Sequence, residues 1–449
     1  MQNSSEQNRS LSFIAALALV IGTMIGTGVF LKAAIMSQTV GSSYWVLIAW
    51  VVAGLLSLAG ALTYAEIGAL FPRAGGEYVY LKEGYGELVA FLYGWQRFLI
   101  SSPGTIAAYA VGTATFAASF LSLEMIGGRT ALAIYVILFF SALNCLNVQF
   151  GGRLQSVMTL LKVLMIVFII GGALFFSPTA GLHNMGSWTD ATFPGWSAFG
   201  AAMLAALWAY DGWNNMPMVA GEIKDPQKNI PRSLILGVLF LVGLYTLIHF
   251  CYFYALPFAE VATSSSSTLP DALPVAAKTA AAFMGQNGIM FLGIAMMFSA
   301  VGAMNGSILT SARVPYAMSK DKLFFSSLGN LHKKTNSPYI SIIIQAVLSV
   351  IMALSGSFDQ LTDYVVFASW IFYALVAYSL FIFRKKLPNV NRPYKTLGYP
   401  VVPIVFIVLA SLLLLNTLWT NTQSSLYGVL IIVLGIPFFY LMKKKIIKI

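Results

Sequence analysis

The sequence predicts an all-α polytopic membrane protein of twelve spans, two oppositely oriented sets of five followed by two more, with spans 1 and 6 broken. Three observations predict it. The 449 residues are 58 % hydrophobic and 9 % charged, with mean hydropathy +0.80, whereas a soluble chain carries about 25 % charged residues. Charge-free windows at 10–31, 98–123, 130–152, 233–259 and 364–383 reach or approach the ~20 residues that a helix needs to cross ~30 Å of hydrocarbon. Two spans at corresponding positions are interrupted by glycine and polar residues. An outer-membrane barrel would alternate in segments of ~10 residues instead.

Taken in order, the spans are read at 11–37, 44–70, 93–121, 130–149, 154–176, 196–221, 233–257, 287–314, 339–355, 361–383, 401–421 and 425–442. The last two share the charge-free window 396–442, split by the polar turn TNTQSS. Span 1 follows a short polar tail, is longer than a signal peptide's apolar core and ends in no small-residue cleavage site, so it is expected to stay in the chain. Repeat one is expected at about 11–176, repeat two at about 196–383 and the extra helices at about 401–442, as one transport domain with no soluble domain attached. The longest pieces outside the spans are 71–92, 258–286 and 316–338. The middle one holds TSSSSTLPDALP and then 275–284, read as a short surface helix.

All but four of the 26 Lys and Arg fall at the termini or in the loops on one side; the exceptions are Lys32, Arg129, Lys278 and the intramembrane Lys162. The positive-inside rule then makes both termini cytoplasmic. The net charge of +11 follows from this asymmetry and requires no nucleic acid; the basic clusters suit anionic lipid headgroups. Cys145 and Cys251 lie within spans and imply no disulfide framework. Three scattered histidines offer no metal cluster, and no cofactor motif or reactive cluster marks an enzyme.

Span 1 contains GTMIGTGVF (22–30) and span 6 contains LWAYDGWNN (207–215). Each glycine costs a helix interior roughly 1 kcal/mol against alanine, and a bilayer penalises unpaired backbone further. A mid-membrane break frees N–H groups at one half-helix start and C=O groups at the other's end. The former suit a carboxylate and the latter an ammonium, which together describe a zwitterionic amino acid. In span 1, Gly26, Thr27 and Gly28 would present N–H groups and Met24 a carbonyl. Gly22 and Gly26 also have the spacing of small residues that let helices pack closely. In span 6, the carbonyls of Trp208, Ala209, Tyr210 and Asp211 precede the break at Gly212. Trp208 is a candidate lid, able to contact a cationic substrate through its ring, or a packing residue. Asp211 either binds an amine or caps freed backbone. Spans 1 and 6 begin two consecutive five-span sets, and because five is odd the second set starts from the opposite side. That is the pattern of an inverted-repeat secondary transporter.

Lys162 lies roughly 13 Å along span 5 from Arg153 and is costly there. It could take the place of a driving cation while holding span 1 or 8, act as a proton donor in the cycle, or serve as architectural glue. Glu66 is a candidate gate or loop anchor near the end of span 2. Asn305 (AMNGS) could line the site or bond two helices. GGEY (75–78) is read as a turn.

These motifs resemble the amino acid–polyamine–organocation superfamily. GTMIGTGVF is similar to its helix 1 signature and YAEIGALFPRAGGEYVYL (64–81) to its helix 2–3 signature. YDGWNN, GEIKDPQKNIPRS (221–233) and GRLQSVMTLLK (152–162) point to the L-type amino acid transporters. The resemblance implies a leucine-transporter-like fold and sodium-independent exchange of L-amino acids in the cell membrane. It places the α-carboxylate on Gly26, Thr27 and Gly28, the α-amino group on the Met24 and Trp208–Asp211 carbonyls, and Lys162 as the family's helix 5 lysine. Animal members join a heavy subunit through a cysteine in the outer loop 3–4. That loop has none here, so a bacterial-type carrier without a disulfide-linked subunit is expected. Neutral substrates are expected first; LWAYDGWNN also resembles exchangers of cystine and dibasic amino acids, leaving cationic ones open. The alternatives are proton-coupled symport through Lys162, an amino-acid-sensing receptor and a channel.

Overall fold

The computed structural model describes residue 9 and residues 11–73, 75–146, 150–332, 337–356, 358–420 and 422–447. Most of the polar N-terminal tail and Lys448 of the basic C-terminal run lie outside them. Every expected span is occupied by helix. Span 1 is α1 (Phe13–Met24) and α2 (Gly28–Val40); span 2 is α3 (Ser43–Leu70). After α4 (Glu77–Tyr85), span 3 comprises α5 (Glu87–Gln96), a π-helical turn (Arg97–Ser101) and α6 (Ser102–Ala118). Spans 4, 5 and 7 are α7 (Gly128–Leu146), α8 (Phe150–Phe175) and α10 (Pro226–Ala255). Span 6 is α9 (Trp196–Tyr210) and then a 3-10 segment (Trp213–Glu222) rather than more α-helix. Two short helices, α11 (Phe258–Ala262) and α12 (Val275–Met284), lead to span 8, α13 (Gln286–Ser311), with α14 (Arg313–Lys320) behind it. Spans 9–12 are α15 (Tyr339–Ser355), α16 (Phe358–Lys386), α17 (Val401–Thr420) and α18 (Thr422–Ile447).

Nine helical stretches among the described residues are long and apolar enough to cross a bilayer. Spans 3 and 6 are interrupted and span 9 is short, so these three fall outside that set. Leu160, Leu164, Val347, Leu412 and Leu415 stand more than half exposed on the outer faces of their helices, the surface that lipid rather than water covers.

Counterparts of the two five-span sets pack on each other. α2 lies against α9, α3 against α10, α6 against α13 and α7 against α15, pairing spans 1–4 with spans 6–9. A two-fold axis in the membrane plane pairs helices in this way. One face carries α4 and α14, the other α11 and α12.

Two expectations change. Segment 275–284 is helical but not a surface helix: Val275, Ala276, Ala277, Thr279 and Ala280 are buried, against α8 and α13. Its buried face is alanine and valine but for Thr279, whose hydroxyl is satisfied by the Val275 carbonyl, and its single cation, Lys278, donates to the carbonyls of Glu260 and Thr263. Of GGEY, read as a turn, only Gly75 and Gly76 form one; Glu77 and Tyr78 already belong to α4, which buries them with Tyr80 and Leu81.

Candidate functional site

Span 1 breaks where glycine and threonine replace the apolar run. α1 ends at Met24; Ile25 turns to φ −73°, ψ 90° while its N–H still reaches the Ile21 carbonyl. α2 restarts at Gly28 behind Thr27. Among the described residues no backbone acceptor meets the N–H groups of Gly26, Thr27 or Gly28. Gly26 has no room for a side chain, since a Cβ there would lie 2.5 Å from the Tyr109 ring.

Span 6 breaks at Gly212, whose φ of +111° suits only glycine. A Cβ there would also lie 3.0 Å from the Thr23 carbonyl, so the two breaks touch backbone to backbone. Thr23 Oγ1 lies 3.0 Å from the Gly212 carbonyl and 2.8 Å from the Leu19 carbonyl of its own helix, and its one proton is shared between them. The α4-face ends of the same segments are joined again, Leu11 N–H to the Glu222 carbonyl and Lys224 N–H to the Leu11 carbonyl, both at 2.9 Å. α1 and the 3-10 segment are therefore tied at both ends. Pro217, lacking an N–H, sits inside that segment and opposes a regular α-helix.

The other expected residues divide into those at the breaks and those elsewhere. Trp208 is buried against Tyr109 and Phe358, with its Nε1 3.5 Å from Thr27 Oγ1. Asp211 accepts from the Tyr373 hydroxyl at 2.7 Å. Lys162 Nζ donates to the Gly22 and Ile25 carbonyls at 3.0 and 2.8 Å, which are among those that lose their helical donors where α1 stops. The stem of Lys162 lies against Gly302 of α13. Glu66 is remote from the breaks; it takes both donors of Arg384 at 3.0 and 2.7 Å and the Thr396 N–H at 2.7 Å, joining α3 to the end of α16 and the connector beyond it. Asn305 lies on α13 between Gly302, which meets Lys162, and Ser307, which lines a polar cavity, and its side chain accepts from Asn144 of α7 at 2.8 Å.

The amino acid permease family matches residues 11–440. The chain belongs to that family. The serine/threonine exchanger SteT of Bacillus subtilis is 34 % identical to it over 440 residues, 97 % of each chain. The human b(0,+)-type amino acid transporter 1 is 28 % identical over 96 % of this chain and 88 % of its own. The human cystine/glutamate transporter is 28 % identical over 98 % and 86 %. This permease is thus a membrane-embedded transporter of the amino acid–polyamine–organocation superfamily, not an enzyme, as the sequence motifs implied.

Two buried charges of the permease were not among the expected site residues. Glu77, fully buried, accepts from Tyr64 of α3 at 2.9 Å, Tyr93 of α5 at 2.6 Å and Asn214 of the 3-10 segment at 3.1 Å. Burial pushes its carboxyl above the usual range, while Arg97 and the three donors pull it back. Arg97 donates to Asn215 Oδ1 at 2.8 Å. The sequence offered a faint signal for each: a carboxylate directly after two glycines, and an arginine at the start of an otherwise charge-free span.

A small polar cavity of the permease adjoins the span 6 break, between Arg97, Ser101 and Tyr109 on one side and Ser307, Ser311 and Ser369 on the other. It has room for roughly one water molecule, too little for a whole amino acid. A vestibule of about 230 Å³ on the α12 face reaches down to Phe358, which packs on Trp208. On the α4 face a wider vestibule is crossed by Lys82–Asp321 at 2.7 Å and Arg313–Glu222 at 3.0 Å.

Proposed function

We propose that this permease is a sodium-independent exchanger of neutral L-amino acids in the cell membrane, working by alternating access around the two breaks. Serine and threonine lead the candidates, following the name of the Bacillus relative. One observation carries the reading: two broken helices meet backbone to backbone, and a fixed ammonium, Lys162, holds the carbonyls of the first. The N–H groups of Gly26, Thr27 and Gly28 receive the α-carboxylate. The Met24 carbonyl and those of Trp208, Ala209, Tyr210 and Asp211 receive the α-amino group, with Trp208 as lid. Repeats at about 11–176 and 196–383 supply the moving and static parts, and the α4 face is cytoplasmic. Lys162 takes the role of a driving cation, so no sodium is consumed. No disulfide-linked heavy subunit is required.

The test uses proteoliposomes loaded with labelled serine in sodium-free buffer. Efflux is expected only when unlabelled amino acid is outside; equal efflux into empty buffer rules out obligatory exchange. Uptake driven by an inward proton gradient with no internal amino acid would instead select proton-coupled symport through Lys162.

A further inference from the structure

The water-sized cavity beside Gly212 has an unusual floor. Arg97 is 7 % exposed, and its Nε–H has no hydrogen-bond partner among the described residues, although its Nη2 is held by Asn215. A buried, unpaired donor on a cation costs more than a neutral one, so the group is poised for an acceptor. Around it stand hydroxyls: Ser101 and Ser369, 2.9 Å apart, with Ser307 and Ser311 opposite. Apolar lining is nearly absent, Val365 being the exception.

We propose that Arg97 is a specificity-determining residue, and that this cavity receives the substrate's side chain and selects a short hydroxylated one while excluding cationic ones. The inference rests on the exchanger reading and names its substrate class. A hydroxymethyl group is about the size of the water the cavity can hold, and its oxygen can accept from Arg97 Nε–H while its proton reaches a serine hydroxyl. Valine, which has the shape of threonine without its hydroxyl, gives the Arg97 donor no acceptor and leaves it stranded. A lysine or arginine side chain meets the guanidinium at close range, where like charges in a dry site repel strongly. Asp211 also lines the cavity, but one of its oxygens is bonded to Tyr373 and its charge is balanced by Arg97, so it is no free counter-charge for such a cation.

The experiment is competition against labelled serine exchange in proteoliposomes by serine, threonine, alanine, valine, lysine and arginine. In the unmodified protein, serine and threonine are expected to compete at least tenfold better than valine, lysine or arginine. Arg97→Gln is expected to lose at least tenfold in serine competition and to admit lysine. Arg97→Lys, which keeps the charge without Nε–H, is expected to go on rejecting lysine while serine and alanine become equal within about threefold. Ser311→Ala, a gentler change, is expected to narrow the serine-to-alanine ratio severalfold. Lysine competing as well as serine in the unmodified protein overturns the proposal without any variant, as does unchanged selectivity in Arg97→Gln. Exchange of alanine or leucine but not serine overturns it and leaves the exchanger reading standing; no exchange of any amino acid removes the exchanger reading itself.

Discussion

The break in span 1 carries no ionisable group of its own, and an ammonium from α8 reaches over to hold its carbonyls. The break in span 6 carries Asp211 and continues into a 3-10 segment clasped by Glu77, Arg97 and Tyr373. The first break is therefore held from outside by one cation and one hydroxyl, that of Tyr109 on the Thr23 carbonyl at 3.3 Å, whereas the other is embedded in a network. Releasing the first requires withdrawing that cation and that hydroxyl; releasing the second requires several more hydrogen bonds to part together. The bonds at Thr23–Gly212 and Leu11–Glu222 link the two, so a motion started at the simpler break is transmitted to the more heavily clasped one.

The change that should break this comparison most completely is Gly212→Ala. It sets a side chain at φ +111° and 3.0 Å from the Thr23 carbonyl, about 1–3 kcal/mol of backbone strain in addition to the clash. Exchange is expected to fall to background with the protein still inserted, as read by flux and by size-exclusion chromatography.

Lys162→Ala acts on the first break alone. It leaves the Gly22 and Ile25 carbonyls without their donor, about 1–3 kcal/mol for each buried group left unpaired. Turnover is expected to drop tenfold or more while substrate affinity changes less than about threefold; unchanged transport would remove its role.

Glu77→Gln acts on the second network. The amide keeps the shape but weakens bonds from Tyr64, Tyr93 and Asn214, and a shift of roughly three- to tenfold between apparent affinities on the two faces is expected. Because burial raises its pKa, the Glu77 carboxyl takes up its proton at a higher pH than an ordinary glutamate. The clasp therefore loosens as pH falls, and the variant's transport should be flatter across the acidic range than the parent's.

Thr23→Val cuts the tie between the breaks. Losing one buried hydrogen bond costs about 1 kcal/mol, so a change of roughly fivefold in turnover at most is expected, smaller than the effect of Lys162→Ala. Asn305→Ala is the smallest: its bond to Asn144 lies off the breaks, so thermal stability should drop by a few degrees with substrate affinity unmoved.

The breaks were legible because glycine, threonine, asparagine and aspartate are conspicuous inside apolar runs, and helix propensity and bilayer cost act there in the same direction. Span positions were legible for the same reason, to within a few residues at most ends. The clasp under span 6 was not. Glu77 stands in sequence within a charged loop and Arg97 at the start of span 3, and the count of basic residues that sets orientation carries no information on depth. Packing of α4 beneath the 3-10 segment makes Glu77 interior, and the π-helical turn of span 3 brings Arg97 to the same segment. The burial of α12 was hidden likewise, because an alanine-rich run reads alike on a surface and in a seam.

The isolated polar chamber has one last consequence. Phe358 and Trp208 separate it from the α12-face vestibule, while ion pairs cross the vestibule on the α4 face. With space for about one water in the chamber, a solute crossing from one vestibule to the other has to displace these two rings and part those ion pairs, so the barrier to passage is built of a few side chains.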